Sequence, residues 1–166
     1  MLKRFFPAVL VLLTLFGCAA RVNVASNKDA TYQNKIDRLL ISISLNKTYL
    51  SASNVSQSFL AKLSARGVSV ETLVRKPLEL DSSEAMRAAI AKFKPTQVME
   101  LVATSTISDR YRLIAFTLES SIYDTKIAKR IWRSSINFKG SEGDPQKNAD
   151  KFVDTVIEKL QADGLL

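Results

Sequence analysis

The sequence predicts a single α/β domain of the α+β type, with a mixed sheet of about five strands, the element order β-α-β-α-β-β-β-α and the helices mainly on one face. Three observations lead to this prediction. A chain of 166 residues has room for one domain core of ordinary size. Its content of 46% hydrophobic and 24% charged residues is that of a globular protein. Stretches with the two-residue period of a strand alternate with stretches of helical period.

The predicted domain begins with a strand and a helix. Residues 39–45 alternate isoleucine and leucine with serine, which is typical of a half-buried strand. Asn54 with Gln57 three residues later is a variant of the capping box that opens helices. Apolar residues then recur at helical spacing until Gly67, a residue type that commonly ends helices. The first helix is therefore expected between Asn54 and Gly67.

A second strand and helix follow, and then a third strand. Val68–Val74 again alternates β-branched and polar residues, and Asp81 with Glu84 opens a helix with one apolar stripe. Gln97–Thr104 has the composition of a strand. Its charged Glu100 indicates a sheet face that is not fully covered.

The pattern of residues 111–138 predicts a long hairpin. A three-residue loop of Asp124, Thr125 and Lys126 collects the large apolar residues on one face, and a slip of one residue would scatter them. Trp132 belongs to that face, so we expect it in the core. In this register the facing pairs are Leu118 with Trp132, Phe116 with Ser134 and Ile114 with Ile136.

The last element is the clearest helix of the chain. Asp144 followed by Pro145 is a favourable helix start, and Gly164 follows the predicted end. The apolar residues recur at helical spacing and form one face. They are Ala149, Phe152, Val153, Val156, Ile157 and Leu160.

The N-terminus has the layout of a secretory signal peptide. Lys3 and Arg4 precede the apolar run Phe5–Phe16, which small residues follow. A run of about 12 residues is too short to cross a hydrocarbon core that needs about 20. We therefore expect this segment to be removed rather than to span a membrane.

Residues 15–18, with the sequence Leu-Phe-Gly-Cys, resemble the lipobox of bacterial lipoproteins. The resemblance implies cleavage between Gly17 and Cys18 and attachment of fatty acyl groups such as palmitate to Cys18. It also implies the periplasmic side of the cell outer membrane, because Ala19 is not the Asp that retains such lipoproteins in the inner membrane. The predicted parts are a signal peptide (1–17), the lipidated cysteine with a tether (18–36) and a periplasmic domain (37–166).

The domain pattern behind the lipobox also carries a resemblance. A late strand with the sequence Lys-Arg-Ile-Trp-Arg (129–133) and a closing amphipathic helix are similar to small outer-membrane lipoproteins of uncharacterised Gram-negative families. In topology the pattern is similar to the activator lipoprotein of penicillin-binding proteins, the curli secretion lipoprotein and the N-terminal domain of the Tol translocation protein. The resemblance implies that the protein works by binding partners and not by catalysis.

Basic residues are concentrated in the predicted hairpin. The chain has a net charge of +8, and residues 110–139 contain seven basic and two acidic residues. In the periplasm the suitable counterparts are an acidic envelope protein, anionic lipid headgroups or peptidoglycan carboxylates, whereas nucleic acid is not a sensible partner. The alternative is a solvated edge hairpin whose charges prevent self-association. The candidate basic surface consists of Arg110, Arg112, Lys129, Arg130, Arg133 and Lys139.

Composition excludes several catalytic chemistries. The chain has no histidine and one cysteine, so Ser-His-Asp, Cys-His and CxxC systems are excluded. Ser44 and Lys47 have the S-x-x-K spacing of penicillin-recognising enzymes, but Ser44 is expected to end a strand rather than begin a helix. Glu119 is expected to face Arg133 or Lys129 diagonally in the hairpin. No phosphate loop or metal-binding spacing is present, so we expect no cofactor, no metal and no enzymatic activity.

Together these patterns predict a lipid-anchored, periplasm-facing envelope lipoprotein that acts as a non-catalytic binding or assembly accessory. Its partners would be the membrane, through Cys18, and an envelope protein, with anionic lipid or peptidoglycan as further candidates. One alternative is a subunit of a homo-oligomeric envelope or secretion assembly. Another is an unrecognised small-ligand binder or hydrolase.

Overall fold

Nine elements make up the part of the chain that the computed structural model describes, namely residues 21–46, 48, 50–75, 82–109, 112–139 and 144–166. In chain order they are β1 (Arg21–Lys28), β2 (Arg38–Ser44), α1 (Ala52–Ser64), β3 (Ser69–Val74), α2 (Ser82–Phe93), β4 (Gln97–Asp109), β5 (Arg112–Asp124), β6 (Lys129–Lys139) and α3 (Pro145–Ala162). From β2 onward this is the predicted order. None of these helices is long and apolar enough to cross a membrane.

The six strands form one mixed sheet in the order β1-β6-β5-β4-β2-β3. β2 is parallel to both of its neighbours, β3 and β4, because helices connect these strands. The other neighbouring strands are antiparallel. The predicted class, a single mixed α/β domain, is therefore confirmed, with six strands in place of about five.

The additional strand is β1, which lies in the segment predicted as a tether. All eight of its residues pair with β6, and Val22 and Val24 pack against the core. The tether prediction is therefore wrong for residues 21–28. Two valines give an edge strand only a weak periodic signal, and the partner that stabilises β1 lies far away in the sequence.

Helices lie on both faces of the sheet, and mainly on one, as predicted. α1 and α3 share one face, where the ring of Phe59 meets that of Phe152 edge-on with centroids 6.4 Å apart. α2 lies on the opposite face, beside β2 and β3. Arg38 and the core residue Leu39 are neighbours in β2, so their side chains point to opposite faces of the sheet. The guanidinium of Arg38 lies 4.6 Å from the ring centroid of Phe93 on α2, which places α2 on the face opposite the core.

α3 begins and ends as the sequence predicts. Asp144 caps its N-terminus by accepting hydrogen bonds from the backbone amides of Gln146 and Lys147. Gly164 follows the last turn with a φ of 73°. All residues of the predicted apolar face are buried, and these are Ala149, Phe152, Val153, Val156, Ile157 and Leu160.

The start of α1 differs from the prediction. Ser51 is the N-cap, and its Oγ accepts a hydrogen bond of 3.4 Å from the backbone amide of Asn54, which lies in the first turn. Serine and asparagine are equally favourable caps, so composition did not separate the two starts. The helix ends at Ser64, shortly before Gly67. For α2, the predicted opening residue Asp81 lies outside the described residues.

The hairpin of β5 and β6 has a different register from the predicted one. Its turn contains the four residues 125–128 instead of three, and Ile131 is an extra residue of β6 just before Trp132. Trp132 therefore faces Ile122 and not Leu118. The displacement is four residues, an even number, so the same side chains remain on the core face and Trp132 is buried as predicted, with 1% exposed. The observed pairs are Phe116 with Phe138, Ser120 with Ser134, and Ile136 with Leu118 rather than with Ile114.

Candidate interaction surface

One face of the sheet is free of helices over β1, β6, β5 and β4 in the described part of the chain; we call it the open face. Its side chains alternate with the core residues of the same strands and are mostly polar. Glu100 of β4 belongs to it and is half-buried, which confirms the prediction of an incompletely covered face. Other members are Asn23, Asn27, Glu119, Ser121, Arg133, Ser135 and Asn137.

Two shallow grooves lie next to each other along β1 and β6. Their volumes are about 300 Å³ and 270 Å³. Both are lined by Asn27 and Arg133, which are directly opposite each other in the sheet. Arg130 lines the larger groove and Glu119 the smaller one. These volumes are at the lower limit of the range for small-molecule sites.

The two arginines at the grooves are held by neighbours on the open face. The Nη2 atom of Arg133 lies 2.7 Å from Oε2 of Glu119, which confirms the predicted diagonal contact. The guanidinium of Arg130 lies 5.6 Å from the ring centroid of Tyr123. Because the ion pair is about half exposed, it stabilises the fold little, about 0–1 kcal/mol. Its main consequence is to orient Arg133 along the groove.

The remaining residues of the candidate basic surface lie elsewhere. Lys129, at the start of β6, forms an ion pair with Asp29. The hydrogen bond from Lys129, together with hydrogen bonds from Thr31, holds the pKa of Asp29 far below its usual range. Lys139 ends β6, about 33 Å away at the rise of an extended strand. Arg112 is the first residue of β5.

The structure thus brings only two of the six predicted basic residues together at the grooves, Arg130 and Arg133. Lys129 is tied to the turn end of the hairpin, while Lys139 and Arg112 mark its other end. Arg110 lies outside the described residues. Sequence proximity did not separate these groups, because a long strand carries neighbours in sequence to opposite ends of the sheet.

A buried polar network was not predicted. The hydroxyl of Tyr32, in the connection from β1 to β2, donates a hydrogen bond of 2.7 Å to Oδ2 of Asp124, and Nε2 of Gln97 donates to that hydroxyl at 3.1 Å. Burial, and then the bond to Asp124, raise the pKa of Tyr32. The only sequence signal for this network was the position of Tyr32 in a polar segment shortly before Ile36.

Asp124 holds the turn of the hairpin in the same network. Burial alone would raise its pKa, but hydrogen bonds from Tyr32 and from the amides of Ile127 and Lys126 outweigh burial and keep the pKa below its usual value. The carboxylate is therefore ionised and the tyrosine neutral at pH 7. This arrangement joins the connection before β2 to the β5–β6 turn and leaves no poised acid or base.

The positions considered for catalysis do not form a cluster in the described part of the chain. Ser44 ends β2, as predicted, while Lys47 lies outside the described residues. Glu84 is exposed in the first turn of α2. Among the described residues no group of three or more Asp, Glu, Cys or His side chains could hold a metal ion.

The fold defines a class of small mixed α/β domains in which a six-stranded sheet carries two helices on one face and one on the other. No protein-family model matches this sequence, and no curated protein is detectably similar to it in sequence. Comparison with solved structures therefore rests on shape.

Among solved structures, the chain is similar to the PelC dodecamer from Paraburkholderia phytofirmans, with a TM-score of 0.54 and 12% identity over 85% of this chain and 98% of that chain. A single-substitution variant of the same dodecamer gives 0.52 and 13% over 86% and 98%. A Xanthomonas campestris protein of family DUF330 gives 0.40 and 8% over 81% and 97%. At these identities the PelC likeness establishes a shared fold.

Proposed function

We propose that this chain is a lipid-anchored, periplasm-facing and non-catalytic accessory of the outer membrane that works as a subunit of a homo-oligomer. The observation that carries the oligomer is the likeness to PelC, which spans nearly the whole of both chains and whose solved form is a dodecamer. This favours the oligomeric alternative over a monomeric accessory.

The lipid anchor is supported by the N-terminal sequence. Leu15, Gly17 and Cys18 stand at lipobox positions at the end of a short apolar run. Acylation at more than one site gives stable anchoring, whereas one chain alone binds reversibly.

Strand edges supply the surfaces on which copies could assemble. The outer edges of β1 and β3 have no strand partner among the described residues. Unpaired edges are where strands from another chain add most readily.

The mass of the mature protein in mild detergent tests the proposal. Native mass spectrometry and light scattering should give one defined multiple of the subunit mass, for the lipidated protein and for Cys18→Ala. Retention of the multiple in Cys18→Ala means that protein contacts hold the oligomer, rather than acyl chains sharing a micelle. A monomer in both forms over a wide concentration range would contradict the homo-oligomer.

A second candidate function is capture of an acidic segment of an envelope protein at the grooves. The observation that favours it is the placement of Arg130 and Arg133 along one groove. Crosslinking in cells should lose a partner in Arg130→Glu/Arg133→Glu but retain it in Arg87→Glu/Lys92→Glu, which reverses two exposed charges on α2. Equal crosslinking by all forms would count against the grooves.

A further inference from the structure

We propose that one end of the sheet faces the lipid headgroups. This end is formed by the first residue of β1, the last residue of β6, the last residues of β4 and the first residues of β5. The occupant is an anionic phospholipid bilayer. The inference rests on the proposed lipid anchor at Cys18. It specifies which surface of the domain the anchor turns toward the membrane.

The distance between the anchor and the sheet is short. β1 begins at Arg21, three residues after Cys18. Three residues span at most about 11 Å when fully extended. The headgroup layer on each side of a bilayer is itself about 5–8 Å thick. With its acyl chains in the hydrocarbon, Cys18 therefore keeps the start of β1 within or just above the headgroups, which a tether up to residue 36 would not do.

The strand pairing carries this constraint across the sheet. Arg21 is paired with Lys139, Lys139 with Ala115, and Ala115 with Ile107. These residues form one row across β1, β6, β5 and β4. At about 4.8 Å between strands, Ile107 lies about 14 Å from Arg21 in the plane of the sheet. The whole row therefore lies at the end of the domain that the anchor holds.

The chemistry of this row suits a membrane interface. Ile107 is 59% exposed, and residues 104–108 around it are all exposed. Lys139 is exposed, and Arg21 and Arg112 begin the adjoining strands. Basic residues are attracted to anionic headgroups, and a large apolar side chain favours the interface.

Among the described residues, the acidic ones at this end do not outweigh the basic ones. They are Asp109, the last residue of β4, and Asp144, five residues after Lys139, whose carboxylate caps α3. The row itself contains none. The surface need not supply the binding affinity, because the acyl chains do so, and a modest preference is sufficient to orient the domain.

The turn of the hairpin offers a matched control position. Ile127 is 57% exposed, nearly the same as Ile107. It lies beyond Asp124, which is nine residue positions along β5 from Ala115 in the row. At the rise of an extended strand this is about 30 Å. Two exposed isoleucines thus mark opposite ends of one sheet.

The experiment places an environment-sensitive fluorophore on Ile107→Cys or on Ile127→Cys. The protein is the mature lipidated chain in vesicles of phosphatidylethanolamine and phosphatidylglycerol, in which lipidation leaves the introduced thiol free for labelling. Brominated lipids then quench a fluorophore at the interface. We expect the label at 107 to lose most of its emission and the label at 127 to lose almost none. Unchanged melting temperatures verify that both variants fold.

A charge reversal tests the electrostatic part. Lys139→Glu should reduce the quenching at position 107 several-fold, whereas Lys126→Glu in the turn should leave it unchanged. Equal quenching at positions 107 and 127, or stronger quenching at 127, overturns the proposed orientation.

Mass spectrometry of Cys18 distinguishes a failure of the proposed orientation from a failure of the proposed lipid anchor. If Cys18 is acylated and the label at 107 is not quenched, the orientation is wrong and the proposed anchor stands. If Cys18 carries no acyl group in cells, the anchor fails and the orientation fails with it.

Discussion

The indole Nε1 of Trp132 donates a hydrogen bond of 2.7 Å to Oδ2 of Asp163, and the same oxygen accepts one of 2.5 Å from Oγ of Ser26. Asp163 is the C-cap of α3, so one carboxylate joins this helix to β6 and β1. Burial alone would raise the pKa of Asp163, but the bonds from Ser26 and Trp132 and the ammonium of Lys159 outweigh it and lower the pKa.

Replacing this carboxylate should destabilise the domain. We expect Asp163→Asn to lower the free energy of unfolding by about 2 kcal/mol at neutral pH, because the buried indole N–H loses a charged acceptor. Since the folded pKa of Asp163 is lowered, its contribution is complete above the unfolded pKa of about 3.9 and is lost as pH falls through the folded value. The difference between wild type and variant should therefore shrink in acid.

Urea unfolding at neutral pH and below the unfolded pKa measures both effects. Asp154→Asn is the control, because its ion pair with Lys62 is 2.6 Å long but lies on the surface and should contribute less than about 1 kcal/mol. A deficit for Asp163→Asn that stays constant down to acid pH would show that ionisation of Asp163 is not the source of the stability.

Removal of the Tyr32 hydroxyl should loosen the β5–β6 turn. Tyr32→Phe leaves Asp124 without its side-chain donor, so we expect a loss of about 2 kcal/mol in the free energy of unfolding. Tyr123→Phe removes the same hydroxyl from a half-buried tyrosine on the open face and should change stability by less than about 0.5 kcal/mol. Denaturant unfolding compares them, and equal losses would be evidence against the network.

Replacing either of two buried serines with alanine should stabilise the domain. Ser120 and Ser134 face each other on β5 and β6, and the Oγ of each is buried with no hydrogen-bond partner among the described residues. Ser120→Ala or Ser134→Ala should therefore raise the free energy of unfolding by about 1 kcal/mol. Ser135→Ala, on the open face, should change it little. A loss of stability in both buried variants would mean that the hydroxyls are satisfied in solution.

Gly67 should be required for its backbone conformation alone. Its φ is +80°, and apart from its chain neighbours no described residue has a heavy atom within 4 Å of the position that a Cβ would occupy. We expect Gly67→Ala to lower the free energy of unfolding by about 1 kcal/mol and Gly67→Asn to lower it less, because asparagine tolerates the left-handed region. Thermal unfolding of the two variants tests this, and identical losses would point to another cause.

The helices differ in how well local sequence patterns predicted them. α3 was predicted with its cap Asp144, its ending at Gly164 and every apolar residue of its buried face, although not the buried Asn148. A helix carries its whole amphipathic period and both caps within one continuous segment. α1 was predicted with the wrong cap, because Ser51 and Asn54 satisfy the same local requirement.

The candidate site was predictable only in part. The basic character of the hairpin was evident from composition, and the contact of Glu119 with Arg133 was expected, although in a register that placed Glu119 opposite Ile131 rather than Ser135. The register of the hairpin was not predictable from the sequence, because a displacement of four residues keeps the apolar residues on the same face. The meeting of Arg130 and Arg133 with Asn27 depends on β1, which has too few apolar residues to be predicted as a strand.

By itself the sequence determined the class of fold, the order of elements from β2 onward, the core face of α3 and the lipobox resemblance at Cys18, since each depends on residues close together in the chain. Only the tertiary structure decided that Arg21 pairs with Lys139, that Trp132 faces Ile122, and that Asp163 joins α3 to two strands. These relations form between segments that are distant in sequence. They depend on backbone pairing and packing, for which no local period provides a signal.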